Sequence, residues 1–586
     1  MAAAHRKKKA GKGRNRAKGT TATGPSNRSG AATARRRRST DASASGGRKR
    51  TIRDLLLLAA TAGIFTLSFP SFISDGGWWP LAYIAIAPAV YVVNRSSIKR
   101  SIWYGLFCGT LTYMLHNYWI GSFHVLATLI VPGIYGVYYI ILFPVLAVVG
   151  RRFGRFGYLV QALVWLAFEY LRTLGFLGYA YGIIGYSQYH HPALVRFSSI
   201  TGIWGVSLLV LVPSLLIAQA ATEANRDHEG PGGVKRYLSR SADLFRPYTV
   251  DIAAYAFVFA VVLVVGGVFL RTDYSGSRDW RVALVQQNVD PHQGGLAAYR
   301  ESLDRSIRQS EAALERDDGI DAVIWSETSF VPPIEFHARF REHPETLELV
   351  NRIQAFMSEQ PVPYVIGNSD AQRERRPDGS VERVDYNAAL LFENGAIQDV
   401  YRKLHLVPFT EHFPYRNALP WVYNLLKEFD THFWGKGTEY TVFETADGVS
   451  FSTPICFEDT FGYLSRNFVR EGADVIVNLT NDRWADSVAA AMQHMAMAVF
   501  RSGENRRTMV RGTNGGMTAV IDPNGVITAM DEPLVESHMI ADAPVYAESS
   551  TLYTRFGDWF AQLTLIVTAG LLGYAMVLAR RERANG

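Results

Sequence analysis

The chain has 586 residues, which is enough for about two or three ordinary domains, and 48% of them are hydrophobic and 19% charged. Its net charge of +7 owes much to a basic N-terminal tail and says little about a catalytic substrate. The mean hydropathy of +0.01 averages very apolar blocks with a strongly polar one, which excludes a uniformly soluble chain. The composition therefore predicts one membrane region and one water-facing domain.

The N-terminal tail, residues 1–52, is basic and poor in apolar side chains. It contains the run Arg35 to Arg38 together with many Gly, Ala, Ser and Thr residues. Such a composition cannot offset the entropy of ordering, so we predict disorder. A basic tail could bind nucleic acid, but an apolar helix follows it directly. A cytoplasmic segment near anionic membrane lipid is the better interpretation, and we predict no nucleic-acid partner.

Apolar stretches close to 20 residues long predict about eight membrane-spanning helices. The candidate spans are residues 54–72, 78–94, 102–121, 125–149, 157–176, 201–220, 249–270 and 558–579. These stretches define a polytopic α-helical membrane domain at residues 53–272, with about seven spans, and a C-terminal span at residues 556–580.

The distribution of Lys and Arg predicts the orientation of these spans, because short cytoplasmic loops are enriched in cations. The cation-rich segments all fall on one side: the tail, Asn94 to Arg100, Arg151 to Arg155, the loop around Lys235, and Arg580 to Arg583. Both termini are therefore predicted to be cytoplasmic in a plasma-membrane protein, and the polar domain to be extracytoplasmic. A cleavable signal peptide is not indicated, because the first apolar helix follows a long basic tail.

Two features inside the apolar runs need interpretation. Glu169 and Arg172 stand three residues apart near the outer end of the fifth predicted span, so one helix face can pair them. Helix packing and the binding of lipid headgroups are equally good explanations. Cys108 lies in an apolar run and Cys456 in the polar domain, on opposite sides of the membrane boundary. A disulfide is excluded, and Cys456 is a lone thiol.

The polar domain, residues 279–546, alternates short β-rich runs with helical ones, which predicts an α/β fold. Predicted strands include residues 281–286, 321–325, 363–367, 387–392 and 473–478, with a helix at 297–316. Glu327, Lys403 and Cys456 each follow such a strand, where α/β folds often place chemistry. Each alone is weak evidence, because single residues of these types are usually surface charges or core filler.

Three segments around these residues resemble the catalytic segments of the nitrilase superfamily. They are Trp325 to Glu327, Tyr401 to Glu411 and Ile455 to Glu458. Leu406 to Phe409, Pro414, Asn481 to Trp484 and Arg511 to Gly516 are similar to the membrane branch of that superfamily, the apolipoprotein N-acyltransferases. The resemblance covers nearly everything from Arg53 to Ala579 and implies an extracytoplasmic nitrilase-like αββα sandwich beside the membrane domain.

The chemistry of acyl transfer explains why these three residue types would converge. A cysteine accepts an acyl group as thiolate, and a cation such as Lys403 lowers the pKa of the thiol. Glu327 fits the general base that takes the thiol proton and later one from the attacking amine. Lys403 and the backbone N–H of Phe457 are candidate donors to the oxyanion. The resemblance implies the same catalytic roles for Glu327, Lys403 and Cys456.

Further residues have supporting or substrate-binding interpretations. Glu411 and Glu458 are predicted to flank the site, against the alternatives of loop solvation and a helix N-terminal charge. Asn481 belongs to the same family segment as Trp484, which is either an acyl-chain wall or a buried anchor. Ala485 and Asp486 depart from the Phe-Gly pair that commonly follows this Trp in the family that the chain resembles, at the expected lipid entrance. We expect Arg501, Glu504 and Arg511 to form a structural ion network.

The predicted function is transfer of an acyl chain from a phospholipid to the amine of diacylglyceryl-cysteine on a lipoprotein, through a Cys456 thioester. The partners are thus a phospholipid donor, a diacylated prolipoprotein-derived acceptor and membrane lipid. An alternative is a membrane-anchored nitrilase-type amidase that hydrolyses a C–N bond. A degenerate scaffold is disfavoured by the intact Glu, Lys and Cys. We predict no cofactor and no metal, because His190 and His191 are adjacent and no phosphate-binding Gly loop is found.

Overall fold

The computed structural model describes residues 28–122, 127–226, 244–271, 273–375, 379–428, 433–547 and 550–585. The chain divides into two units, Met1–Leu55 and Leu56–Gly586. From Arg28 the first unit is helical, where the sequence predicted disorder up to residue 52. Ala and Arg are frequent there and are strong helix formers. The rest of the predicted disordered tail, residues 1–27, and the loop around Lys235 lie outside the described residues.

Helices make up the first half of the described chain. They are α1 (Arg28–Leu67), α2 (Ala87–Asn94), α3 (Ile98–His116), α4 (Ala127–Arg152), α5 (Gly157–Leu171), α6 (Pro192–Thr201), α7 (Ile203–Arg226) and α8 (Thr249–Phe269). Their order matches the predicted spans except for α6, a short helix that the sequence analysis did not identify. Its first residue is Pro192, which is favoured at a helix start because its fixed φ suits the helix and its missing N–H is not needed there.

Four helices in the described part of the chain are long and apolar enough to cross a membrane. They are Ala127–Arg152, Ile203–Ala224, Arg246–Phe269 and Trp559–Ala584. The stretch Trp79–Asn94 is apolar but shorter, and α5 has 15 residues. A helix needs about 20 residues to span the hydrocarbon core, so these elements do not meet the length criterion alone. The count of about eight spans stays a prediction.

The surface of α8 supports its assignment to a membrane. Val250, Phe257 and Val264 on this helix are 75%, 70% and 64% exposed, without a polar face between them. In water such a surface would be unfavourable, since large exposed apolar patches mark membrane or protein contact sites. The helix Ile203–Ala224 is mostly buried by contrast, so it forms the centre of the helical part.

The second half of the chain contains an α/β domain followed by a C-terminal helix. Its helices are α9 (Leu296–Arg316), α10 (Ile334–Phe340), α11 (Pro344–Ser358), α12 (Pro420–Glu428), α13 (Gly462–Arg470), α14 (Val488–Asn505), α15 (Leu552–Phe556) and α16 (Trp559–Asn585). Its strands are β1 (Arg278–Gln286), β2 (Ala322–Trp325), β3 (Tyr364–Arg375), β4 (Val381–Glu393), β5 (Ala396–Arg402), β6 (Val442–Glu444), β7 (Ser450–Ser452), β8 (Val475–Thr480), β9 (Thr508–Thr513), β10 (Ala519–Ile521), β11 (Ile527–Met530) and β12 (Ser537–Val545).

The strands form two mixed six-stranded sheets, which confirms the predicted α/β class. One sheet has the order β12-β1-β2-β3-β4-β5 and the other β11-β10-β9-β8-β7-β6. The inner faces meet, as the 5.3 Å separation of the Trp280 and Phe451 rings shows. The outer face of the first sheet packs against α9 and α11 through Leu303, Ile353 and other buried apolar residues. Apolar residues on both faces of β1 and β2 produce these two interfaces.

Helix α14 joins the second sheet to the helical part of the molecule. All of its residues from Ala489 to Asn505 are buried. Gly503 allows close approach to α6, because a Cβ there would lie 2.6 Å from a side-chain carbon of Val195. The Arg196 guanidinium on α6 donates to the Gly503 carbonyl at 2.9 Å. The α/β domain is therefore packed directly onto α6.

Candidate active site

Glu327 is placed by a tight approach of two strands. It follows β2, and the next residue, Thr328, has a φ of +48°. Gly367 on β3 lies against this turn, and any Cβ there would overlap the backbone from Ser326 to Thr328. The side chain is 6% exposed, and one carboxylate oxygen accepts from the Asn387 amide at 2.9 Å. Asn387 was not identified from the sequence, because β4 contributes it from 60 residues away.

Lys403 is held at the end of β5 and is almost completely buried. Its backbone N–H donates to the Asn387 carbonyl at 2.9 Å. Its ammonium lies 2.9 Å from a Glu411 oxygen and 3.5 Å from a Glu327 oxygen. Burial opposes the charge, but the carboxylates of Glu411 and Glu327 hold the pKa of Lys403 above its ordinary value. Lys403 therefore stays protonated at neutral pH.

Cys456 occupies a sharp turn after β7. Its φ of +51° is unusual for a residue with a side chain and costs on the order of 1 kcal/mol. The Asn478 amide stabilises the turn by donating to the Pro454 and Cys456 carbonyls at 3.0 and 3.3 Å. No backbone carbonyl in the described part of the chain accepts from the Phe457 N–H. That N–H is a candidate oxyanion donor, as the sequence analysis predicts.

The environment of the Cys456 thiol favours its protonated form. Burial is the main cause of a pKa well above the ordinary value, and the carboxylates of Glu327 and Asp482 raise it further. Lys403 lowers the pKa, as expected from the sequence, but its effect is smaller than that of burial. Glu327 lies close enough to the thiol for Cys456 to lower the pKa of Glu327 and for Glu327 to raise that of Cys456. The site thus contains a thiol with an adjacent base instead of a preformed thiolate.

Glu411 and Glu458 have different positions relative to the thiol. Glu411 touches Lys403 and accepts from the Val407 N–H at 2.8 Å, so it fixes the ammonium. Glu458 is completely buried and accepts from the N–H groups of Leu404, His405 and Ile455 at 2.7 to 2.8 Å. It therefore ties the segment after Lys403 to the residue before Cys456.

Asn481 and Trp484 lie in the segment after β8. Asn481 is buried and accepts from the Asn514 amide at 3.0 Å, which indicates a structural contact. Trp484 is 36% exposed and packs edge-on against His292 at 4.9 Å, so it is not a buried anchor. Asp486 has a φ of +42° and pairs with Arg483. The backbone of Asp486 is in the left-handed conformation, which Gly adopts without strain and Asp more readily than most residues.

The helical part supplies one wall of the site. The ring of Tyr179 lies 6.4 Å from that of Phe457, and Tyr181 is close enough to Cys456 to influence it electrostatically. Phe176 packs against Phe409 at 5.4 Å. This Tyr- and Gly-rich loop was not identified from the sequence as part of the site. Its proximity to Cys456 had no local signal in the sequence.

Glu169 and Arg172 help to shape that loop. The Arg172 guanidinium donates to the carbonyls of Tyr179 and Tyr181 at 2.8 and 3.0 Å. A Glu169 oxygen accepts from the Ile184 N–H at 3.1 Å. Both side chains are buried among protein groups, which supports the packing interpretation over headgroup binding.

The prediction of one ion network of Arg501, Glu504 and Arg511 is wrong for Arg511. Arg501 pairs with Glu504 at 2.8 Å, and both are buried. Arg511 instead contacts Asp459 and Asp482, in a separate cluster. The reason is geometric, because Arg511 lies on β9 and points towards the turn that carries Cys456, away from the end of α14.

Comparison with known proteins defines the class of the domain. The carbon-nitrogen hydrolase family model matches residues 281–546, which span the two sheets and Glu327, Lys403 and Cys456. The solved structure of Nit3 from Saccharomyces cerevisiae, of the nitrilase superfamily, is similar with a TM-score of 0.33 and 18% identity, covering 46% of this chain and 90% of that one. The family match makes the α/β domain a carbon-nitrogen hydrolase domain.

The helical part and the full-length relatives identify the family. The model of the apolipoprotein N-acyltransferase N-terminal domain matches residues 61–216. Apolipoprotein N-acyltransferase 1 of Treponema denticola is 41% identical over 528 residues, covering 88% of this chain and 94% of the relative. The protein of the same name from Treponema pallidum is 38% identical, covering 86% and 92%. The chain belongs to the apolipoprotein N-acyltransferase family, so the resemblance is confirmed and the enzyme is an acyltransferase.

Proposed function

We propose that this enzyme moves an acyl chain from a phospholipid to the N-terminal amine of diacylglyceryl-cysteine in lipoproteins, through a thioester on Cys456. The observation that carries the proposal is the convergence of three side chains: the Lys403 ammonium lies 3.5 Å from a Glu327 oxygen, and both groups shift the pKa of the Cys456 thiol. The family relationship supports acyl transfer over the alternative of an anchored amidase.

In the first half-reaction Glu327 acts as general base. Because the resting thiol is protonated, it must lose its proton as its sulfur attacks the ester carbonyl. Burial raises the pKa of Glu327, against the lowering effect of Lys403, which makes the carboxylate a better base. The C–S bond forms, the ester C–O bond breaks, and the proton passes from Glu327 to the departing lysophospholipid oxygen.

The tetrahedral intermediate needs donors aimed at its oxyanion. The Phe457 N–H and the Lys403 ammonium are suitable, one neutral and one charged. Removing one such donor typically raises the barrier by about 3 kcal/mol. Glu411 is a positioning residue in this scheme, because it contacts Lys403 and not the thiol.

In the second half-reaction the lipoprotein amine attacks the thioester. Glu327 takes a proton from the attacking nitrogen, the amide bond forms and the C–S bond breaks. The sulfur leaves as thiolate and recovers a proton from Glu327, which restores the resting site. The loop with Tyr179 and Tyr181 covers the thioester from the helical side, which limits access of water.

We also propose eight spans with both termini cytoplasmic and residues 279–546 outside a plasma membrane. The distribution of cations supports this orientation. The proposed divisions are the tail 1–52, the membrane domain 53–272, the catalytic domain 279–546 and the last span 556–580. Membrane-impermeant reagents should label an engineered thiol near Gly379 but not one near Lys235 in intact spheroplasts. The reverse pattern would overturn the orientation.

The thioester can be tested with purified protein and labelled phospholipid. Without acceptor, we expect an acyl adduct on Cys456 that neutral hydroxylamine releases, and adding a diacylated lipopeptide should convert it to N-acyl product. Cys456→Ala should form no adduct, whereas the matched control Cys108→Ala should form it normally. Lysophospholipid release only in the presence of acceptor, with no trappable adduct, would refute the two-step scheme. Release of free acid or ammonia without N-acyl product would favour an amidase.

A further inference from the structure

Three buried charged side chains and Asp482, whose side chain is 10% exposed, form a cluster next to the turn that carries Cys456 and have no role in the scheme above. They are Asp459, Asp482, His494 and Arg511, here called the aspartate–histidine cluster. His494 on α14 lies between the two carboxylates, with Nε2 2.6 Å from Asp459 Oδ1 and Nδ1 2.7 Å from Asp482 Oδ1. Arg511 contacts Asp459 directly and Asp482 at 3.5 Å.

The geometry defines the protonation state of His494. Carboxylate oxygens only accept hydrogen bonds, so both ring nitrogens must donate and the side chain is an imidazolium. Burial opposes this charge, but Asp459 and Asp482 raise the pKa of His494 to about 9. The cluster then holds two negative and two positive charges and is neutral. Without the imidazolium proton it would carry one excess negative charge.

That excess negative charge would disfavour the thiolate form of Cys456. The charged groups that face Cys456 are Glu327, Lys403 and Asp482, and Asp482 disfavours the thiolate. Tyr181 faces both Cys456 and His494, with its ring 6.3 Å from the imidazole, but it is uncharged. Asp482 is therefore the group through which the protonation of His494 can reach Cys456.

We propose that His494 is a positioning residue whose imidazolium offsets the charge of Asp482, so that negative charge can develop on the Cys456 sulfur and on the oxyanion. The inference rests on the proposed role of Cys456. It assigns to α14 an electrostatic function beyond packing: the helix supplies a buried cation that contacts Asp459 and Asp482.

The test distinguishes an electrostatic role of His494 from a role in packing alone. Full-length wild type, His494→Gln, Asp482→Asn and the double variant are treated with iodoacetamide over a pH series, and alkylation of Cys456 is followed by mass spectrometry. His494→Gln leaves one excess negative charge, and we expect alkylation at fixed pH to slow about tenfold, the effect of one pKa unit. The double variant is neutral again and should return to within about threefold of wild type. His538→Gln, a half-buried histidine on β12 bound to Gln309, is the matched control and should change nothing.

Recovery in the double variant supports the proposal, because a packing role would make the second substitution add to the damage of the first. A wild-type rate in His494→Gln, or a double variant as slow as the single one, overturns it. If His494→Gln does not fold, the alkylation rate of Asp482→Asn tests the proposal instead. A rate equal to or above that of wild type supports the proposal, and a slower rate overturns it. Alkylation does not require acyl transfer, so failure here is distinct from failure to trap a thioester.

Discussion

Replacing Glu458 by Gln tests whether the separation of Lys403 and Cys456 is set by one buried carboxylate. Oε1 of Glu458 accepts from the N–H groups of Leu404 and His405, and Oε2 accepts from the N–H of Ile455. Burial raises the pKa of Glu458 to about 7, although these donors favour the ionised form. The glutamine is nearly isosteric but has one acceptor oxygen instead of two.

The size of the effect follows from the three N–H groups. The amide oxygen of the glutamine can keep the hydrogen bonds from the Leu404 and His405 N–H groups. Its NH2 group then faces the Ile455 N–H, which is left buried without an acceptor. An unsatisfied buried donor costs about 1–3 kcal/mol, and the lost charge on the other bonds adds to this. We therefore expect about 2–3 kcal/mol of destabilisation, or a thermal midpoint lower by roughly 4–12 °C for a domain of this size.

The transfer activity of Glu458→Gln should fall further than the loss of folded protein alone would explain. The turn before Cys456 loses its link to the segment after Lys403, and a displacement of about 1 Å at a reacting atom can reduce the rate about 100-fold. Transfer from labelled phospholipid to lipopeptide is measured well below the thermal midpoint. Tyr401→Phe is the control, since it removes a hydroxyl that donates to Glu458 and accepts weakly from the Leu404 N–H, and it leaves the three N–H bonds to Glu458 intact. A Glu458→Gln protein with wild-type midpoint and wild-type transfer would refute this reasoning.

Three further predictions concern single side chains of the site. Glu327→Gln should slow both adduct formation and transfer from a preformed adduct by about 100-fold or more, because the base serves both steps; rapid-quench assays that show only one step impaired would contradict it. Lys403→Met should cost about 3–5 kcal/mol of folding free energy by leaving buried carboxylates unpaired, and an unchanged denaturation midpoint would argue against that pairing. The imidazolium of His494 has a folded pKa raised from 6.5 to about 9, so its contribution to stability is complete below pH 6.5 and is lost as pH rises through 9. The thermal midpoint of wild type should therefore fall over this range more steeply than that of His494→Gln.

The elements that carry the chemistry could be predicted because their signals are local. Each of Glu327, Lys403 and Cys456 comes shortly after a strand, namely β2, β5 and β7. The predicted strand boundaries were wrong where the strands continue through polar residues. The hairpin of β3 and β4 continues to Arg375 and Val381 through exposed, mostly polar residues, because backbone pairing extends beyond the core.

The electrostatics of the site could not be predicted from the same pattern. The effect of Lys403 on the thiol has the expected sign, yet burial outweighs it, and burial depends on segments far away in sequence. Asn387, Asp482 and His494 reach the site from β4, from the end of β8 and from α14. A single sequence contains no information on such long-range contacts, whereas the structure shows them directly.

The charges around the thiol also suggest why one site can serve two unlike substrates. Glu327, Glu411 and the Lys403 ammonium together carry one excess negative charge while the thiol is neutral. The thioester is neutral as well, so this excess persists after the first half-reaction. It attracts an incoming ammonium, which loses one proton to solvent before it attacks as the neutral amine, and Glu327 then takes the second proton. The oxyanion of either half-reaction instead meets Lys403 and the Phe457 N–H. Positive charge on the acceptor and negative charge on the carbonyl oxygen are thus stabilised by different groups, and neither half-reaction requires the protein to rearrange its charges.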